Sequence, residues 1–144
     1  MNTGDIFVRL TTNLLFLKFI DLNEKYFNNE LPIPKFQTIH SYKKVGHFSC
    51  SYDKNGLFNE KIEVSDFYDY TEWQLEMVLL HEMIHYKLAY DGLDMRASHG
   101  KEFVNLASDL SRRSGLDINK ELGPDELKLR DGKSKFIQGL RTLF

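Results

Sequence analysis

The stretch LLHEMIH, residues 79–85, decides how the rest of the chain is interpreted. His81 and His85 are four residues apart, so on an α-helix they lie one turn apart on the same face. Apolar residues surround the pair, which predicts a buried helix in which unsatisfied imidazole nitrogens would be costly. The stretch therefore predicts either a metal-binding helix or a core helix with two hydrogen-bonded histidines.

The helix around this stretch has recognisable ends in the sequence. Thr71, followed three residues later by Gln74, is the pattern of a capping box, and Asp91-Gly92 is typical of a helix C-terminus. A loop over residues 92–98 leads to a further helix over about residues 100–114. We therefore expect two consecutive helices, with a chain reversal between them.

Upstream of these helices the period of the apolar residues changes. A helical spacing of apolar residues predicts a long N-terminal helix over roughly residues 5–28, which ends before Pro32 and Pro34. Three short segments rich in β-formers follow: FQTIHSY (36–42), HFSCSY (47–52) and KIEVS (61–65), with DKNG as a turn before the third. They predict one small three-stranded antiparallel sheet.

These elements predict a single α+β domain over residues 1–144. Its core is expected over about residues 5–115, and residues 116–144 form a C-terminal extension. Cys50 is the only cysteine, which excludes an internal disulfide and a cysteine zinc ribbon and suits a reducing compartment. No signal peptide or membrane span is recognised, so we expect a cytoplasmic protein with no membrane partner.

The net charge of the chain gives little indication of a partner. It is −2, so there is no global attraction to nucleic acid or to an anionic membrane. Residues 111–144 are mildly basic, a bias that is typical of a solvated face. The oligomeric state is not indicated.

The pattern H-E-x-x-H matches the chemistry of a zinc hydrolase. Two imidazoles at this spacing can bind one zinc ion at about 2.0–2.1 Å without distorting the helix. Glu82 is one residue further round the helix from His81, where it can reach a water molecule that the ion holds. A carboxylate there can take the proton of that water and later pass it to a leaving amine. We therefore predict Glu82 as general base and then general acid.

A catalytic zinc site usually has three protein ligands and one open position. His99 is the predicted third ligand, because it follows the loop and precedes the next helix, and Gly100 permits a close approach. Glu102 on that helix is the competing candidate and would give a site of two histidines and one glutamate. A capping or surface role for His99 also stays open.

The remaining candidates are weaker. They are two strand histidines, four tyrosines that could donate to an oxyanion, and the cysteine: His40, His47, Tyr42, Tyr52, Tyr86, Tyr90 and Cys50. A lone histidine in a strand is more often structural than a ligand, and most of the tyrosines are expected to pack. The cysteine has no assigned base and is interpreted as a small core or strand residue.

LLHEMIH together with SHGKEF (98–103) resembles the SprT-like zinc metalloprotease family, including its Spartan-type protease domain. In that family H-E-x-x-H on a helix is followed, about one loop later, by a third histidine in the motif H-G-x-x-F. The matching positions are His81, Glu82, His85, His99, Gly100 and Phe103. NEKYFNNELP (23–32) and the segment from GHFSCSYDKNG to KIEVS (46–65) also resemble the family, and the resemblance covers roughly residues 10–115.

The resemblance implies a zincin-like fold, one catalytic Zn²⁺ and hydrolysis of peptide bonds in protein or peptide substrates. For Spartan-type members it also implies substrates that are bound or crosslinked to DNA, so DNA is a candidate partner. This chain departs from many relatives because it has no cysteine-based accessory zinc module. The alternative is a metal-stabilised module that binds DNA or protein with little or no proteolysis.

Overall fold

The computed structural model describes residues 6–93 and 100–130. It contains three helices in these ranges: α1 (Thr12–Phe27), α2 (Glu72–Tyr90) and α3 (Lys101–Ser114). Its strands are β1 (Phe7–Val8), β2 (Lys35–Ile39), β3 (Gly46–Asp53), β4 (Gly56–Ser65), β5 (Tyr68–Thr71) and β6 (Lys128–Leu129). The α+β class is confirmed.

Helix α1 begins later than the sequence predicts. The Thr11 side chain accepts a hydrogen bond from the Leu14 backbone N–H at 3.0 Å and so caps the helix, while Phe7–Val8 forms a strand. Phe27 ends the helix, because Asn28 adopts a left-handed conformation with φ 53°. The predicted end of α1, at residue 28, is therefore close to the observed end at Phe27. The predicted start, at residue 5, is too early, because Phe7–Val8 belongs to a strand.

The central sheet has the order β2-β4-β3. Strands β3 and β4 form the predicted antiparallel hairpin, and Lys54 and Asn55 make its turn. The prediction of a wholly antiparallel sheet is wrong, because β2 pairs with β4 in parallel. Strand β4 lies between the other two, so β2 and β3 run in opposite directions without pairing.

A second small sheet, of order β1-β5-β6, was not predicted. Both outer strands are antiparallel to β5, with Phe7 opposite Thr71 and Leu129 opposite Tyr68. Outer strands of two residues carry too little alternation to be recognised from the sequence. This sheet ties residues near both ends of the described chain to the strand that leads directly into α2.

Helix α2 is the buried centre of the fold, and its predicted start is confirmed. The Thr71 hydroxyl accepts from the Gln74 N–H, and the Gln74 side chain accepts from the Thr71 N–H, which makes a capping box. Eleven of its side chains are buried, among them Leu75, Leu79 and Met83. Because α2 packs against β3, β4, β5, α1 and α3, its backbone fixes the position of the LLHEMIH stretch.

Helix α3 is also confirmed, and Gly115 ends it in a left-handed conformation with φ 78°. The segment that follows, residues 116–129, is called the strap. It contributes four buried apolar side chains, so the packed core continues past residue 115: Ile118, Leu122, Leu127 and Leu129. In residues 6–93 and 100–130, none of the helices combines the length and apolar character that a bilayer crossing needs.

Candidate metal and catalytic site

His81 and His85 lie side by side on the same face of α2. Their ring centroids are 5.1 Å apart, and both rings line a cleft of about 700 Å³. The His81 side chain is 8% exposed, and His85 is half-buried. The spacing in the sequence therefore produces the expected pair of imidazoles, and both rings line the cleft although His81 is largely buried.

The two rings fit a shared zinc ion. An imidazole bound to zinc through a ring nitrogen has its centroid about 3.2 Å from the ion, so two such rings at a tetrahedral angle lie about 5.2 Å apart. The observed 5.1 Å matches that separation. Within the described ranges, which leave out His99, no three His, Cys, Asp or Glu side chains converge closely enough to hold an ion. The two imidazoles could therefore supply two of the four ligands of a tetrahedral zinc ion.

The first turn of α3 closes one side of this pair. The Phe103 ring lies 5.0 Å from the His81 ring and 4.8 Å from the His85 ring, centroid to centroid. His99 lies outside the described residues, as does most of the loop before it. Glu102, the competing ligand, is exposed and does not appear among the described residues that line the cleft. Contact through Phe103 brings the start of α3 to the two histidines.

Glu82 is a buried carboxyl group at the base of the cleft, with only 6% of the residue exposed. The Phe48 backbone N–H donates a hydrogen bond to its carboxylate. Gly46 lies so close that a β-carbon there would be 3.0 Å from Glu82 Oε2 and 2.9 Å from Val78 Cγ1. Strand β3 and helix α2 thus hold this carboxylate between them.

Burial raises the pKa of Glu82 to about 8, and the negative charge of Glu121 adds to the rise. The Phe48 hydrogen bond and the positive charge of Lys44 lower the pKa of Glu82, but they do not outweigh burial. A divalent cation held by the neighbouring imidazoles would favour the carboxylate and lower its pKa further. The group is therefore placed to exchange a proton near neutral pH.

Within residues 6–93 and 100–130, strand β3 pairs on one side only, and its other edge, called the free edge, lies at the cleft. It is an outer strand of its sheet, and the Ser65 N–H donates to the Val45 carbonyl at 2.7 Å. In an antiparallel ladder such bonded pairs alternate with non-bonded ones, so Gly46 and Phe48 direct their backbone groups away from β4. The Phe48 N–H, which points away from β4, donates its hydrogen bond to the Glu82 carboxylate.

Sequence reasoning missed three residues of the site. Lys44 comes from the loop between β2 and β3, Gly46 begins β3, and Glu121 comes from the strap. Glu121 Oε1 lies 3.9 Å from His81 Nε2. Their sequence neighbourhoods carry no metal or catalytic motif. The apolar residues Ile118 and Leu122 near Glu121 are buried and show that the strap packs on the core.

Of the histidine and cysteine candidates, His47 lines the cleft, while His40 and Cys50 do not. His40 Nδ1 lies 2.6 Å from Asp66 Oδ1, and its ring stacks on Phe67, so it is a structural surface pair. His47 lines the cleft, and its pKa is lowered by burial and by Lys44. Cys50 is half-buried, and burial raises the pKa of its thiol.

The four tyrosines lie away from the cleft lining. The Tyr86 hydroxyl donates to the Pro32 carbonyl at 2.7 Å, and Tyr42 packs near Phe67 and Tyr68. Tyr52 and Tyr90 are about half exposed. In the described part of the chain none of the four lines the cleft, so no oxyanion donor is assigned among them.

A buried helix that presents two imidazoles and a carboxyl group beside a free strand edge defines a metalloprotease-like domain. The model of the SprT-like family matches residues 16–121, and the chain belongs to that family. The match includes α2, the start of α3 and Glu121. No curated protein matches the chain.

Proposed function

We propose that this chain is a zinc-dependent metallopeptidase that hydrolyses peptide bonds in protein substrates. The observation that carries the proposal is the buried Glu82 carboxyl group beside two imidazoles at zinc-binding separation, all lining one cleft. A purely structural core helix would not be expected to bring two histidines and a buried carboxyl group together, because burying polar groups is costly.

His81, His85 and His99 would hold the zinc. When bound, the ion would polarise the scissile carbonyl and make a water molecule more acidic. What supports His99 as the third ligand is the contact of Phe103, four residues later, with both described histidines. Three histidines would leave one coordination position open, as catalytic zinc sites do.

Glu82 would carry the proton in both halves of the reaction. Its carboxylate takes a proton from the attacking water while the water oxygen bonds to the carbonyl carbon. The same group then gives the proton to the amide nitrogen as the C–N bond breaks, which yields a carboxylic acid and an amine. The Phe48 N–H and the contact with Gly46 would keep the carboxylate in place for both transfers.

The free edge of β3 would bind the substrate as an added strand. Backbone groups of an extended peptide would pair with those of Gly46, which point away from β4, and this brings a peptide bond next to Glu82. Substrate peptides N-methylated at alternate backbone positions should bind at least tenfold more weakly than unmodified ones. Equal KM values for both series would rule out this binding mode.

Family membership supports a narrower proposal about substrates, namely proteins bound or crosslinked to DNA. Lys43 and Lys44 are exposed cations at the cleft, where they could approach a phosphate backbone. Peptidase assays with and without single-stranded and duplex DNA at low salt test it. DNA binding that is salt-sensitive and independent of proteolysis would instead favour the alternative, a binding module.

The experiment that tests the main proposal combines metal content with turnover. The wild type, purified without added zinc or chelator, should contain one zinc per chain and cleave an unfolded protein substrate. Glu82→Gln should keep its zinc and lose about 10²–10⁴-fold in turnover, because it cannot accept the proton. His85→Ala should lose both. Wild-type protein without zinc after reconstitution would overturn the proposal.

A further inference from the structure

The strap brings a carboxylate to the histidine pair from a part of the chain that the zinc motif does not include. Ile118 is 1% exposed and Leu122 is 7% exposed, so the backbone on both sides of Glu121 is fixed by the core. The Ser111 hydroxyl also accepts from the Ile118 N–H at 2.8 Å, which ties the strap to α3. Glu121 therefore extends from a fixed backbone position.

The Glu121 side chain is mostly exposed although its backbone is fixed. It is 64% exposed, and its Oε1 lies 3.9 Å from His81 Nε2. Two ligands of one tetrahedral zinc ion lie about 3.4 Å apart, so the carboxylate is roughly half an ångström outside ligand range. A rotation of this exposed side chain is enough to close that gap, and carboxylate oxygens are ordinary zinc ligands.

The charge of the cleft favours the same movement. Two neutral imidazoles would leave a dication uncompensated, and Glu82, one residue round the helix from His81, is held by the Phe48 N–H. Glu121 is the other carboxylate that lines the cleft in the described ranges. A cation bound at the histidines would attract its exposed carboxylate strongly, because the site is only partly open to water.

We propose that Glu121 binds the metal as an exchangeable ligand in the substrate-free enzyme, in the position that substrate later takes. This inference rests on the proposed function, since it requires a zinc ion at His81 and His85. The strap would thus supply a carboxylate that occupies the open coordination position until a peptide displaces it. The substrate-free enzyme would therefore bind zinc more tightly than a variant that lacks the Glu121 carboxylate.

The test compares Glu121→Gln with Glu126→Gln, which makes the same change on the same strap. Glu126 Oε2 pairs with Lys120 Nζ at 3.0 Å and does not line the cleft, so it is a matched control. Zinc affinity is measured by competition with a chromophoric chelator. The visible absorption of the cobalt(II)-substituted proteins reports the ligand set and coordination number.

Glu121→Gln should weaken zinc binding about 10-fold to 100-fold and change the cobalt spectrum, while Glu126→Gln matches the wild type. Adding a non-hydrolysable substrate peptide should then make the spectra of wild type and Glu121→Gln alike. Equal zinc affinities and identical cobalt spectra without peptide would overturn the role of Glu121 and leave the peptidase proposal standing. A wild type that binds no zinc would overturn both.

Discussion

Gly46 shows how closely the candidate general base is packed. The backbone of β3 approaches α2 at this residue to a distance that leaves no room for a methyl group between Gly46 and Glu82. Glycine is required here by proximity rather than by an unusual backbone angle. The position of the Glu82 carboxylate therefore depends on the absence of a side chain at Gly46, which lies in another element far upstream in the sequence.

Replacing Gly46 by alanine should impair both folding and turnover. The added β-carbon would lie 2.9 Å from Val78 Cγ1 and 3.0 Å from Glu82 Oε2, so β3 or the carboxylate must shift. We expect a loss of about 1–3 kcal/mol in unfolding free energy, measured by urea denaturation, and at least tenfold lower kcat. Gly123→Ala is the control, because Gly123 also lines the cleft but has open space at the same position. Equal behaviour of the two variants would show that the contact with Gly46 is not limiting.

His47 should make the stability of the protein depend on pH. Burial and Lys44 lower its pKa in the folded state below the ordinary value near 6.5. The unfolded chain then binds more protons in that window, so this stability is present above about pH 6.5 and is lost as the pH falls through the folded pKa. Between pH 7.5 and 5.5 the wild type should lose more unfolding free energy than His47→Gln. Parallel losses in both proteins would contradict the expectation.

The sequence predicted those site residues that are close together on one helix. His81, Glu82 and His85 are related by the helical period, so a local pattern describes their geometry. Glu121 and Gly46 reach the same cleft from other elements, and no spacing in the sequence encodes a contact across that many residues. The sequence therefore did not reveal which residues from distant parts of the chain come into contact at the cleft.

At the scale of elements, the ends of α2 and α3 were predictable because capping is local chemistry. Thr71, Gln74 and Gly115 act within a few residues of themselves. The parallel pairing of β2 with β4 was not predictable, because the sequence does not indicate which of the three strands lies in the middle of the sheet. Strand β4 has that place, and a short loop carries the chain past it from β2 to β3.

The attachment of the strap to α3 should be measurable through Ser111. Its hydroxyl donates to the Ala107 carbonyl at 2.7 Å and accepts from the Ile118 N–H at 2.8 Å. Ser111→Ala leaves that N–H without its acceptor, so we expect a loss of about 1–2 kcal/mol and faster proteolysis within the strap. In Ser108→Ala, the control, only a bond to the exposed Asn119 side chain is lost. A cleavage rate of Ser111→Ala that matches the wild type would show that the hydrogen bond does not hold the strap.

For the whole molecule, zinc binding should appear as added thermal stability. A ligand that binds only the folded state at 100 times its Kd stabilises it by about 2.7 kcal/mol, which raises the Tm of a domain of this size by roughly 8–12 °C. Glu82→Gln should show the same rise on addition of zinc, and a chelator should reverse it. His81→Ala and His85→Ala should show little rise. A full rise in Tm with zinc in both histidine variants would show that zinc binds at another site.

The sheet β1-β5-β6 also has a consequence for the order in which the protein is made. Strand β5 continues directly into α2, and it pairs with residues 7–8 on one side and 128–129 on the other. A ribosome must therefore synthesise residue 129 before the sheet that leads into α2 can be completed. Contacts between distant residues form late, so we expect a nascent chain to gain peptidase activity only after residue 129 has been synthesised. Ribosome-bound chains stalled after residue 115 that cleave substrate would disprove this delay.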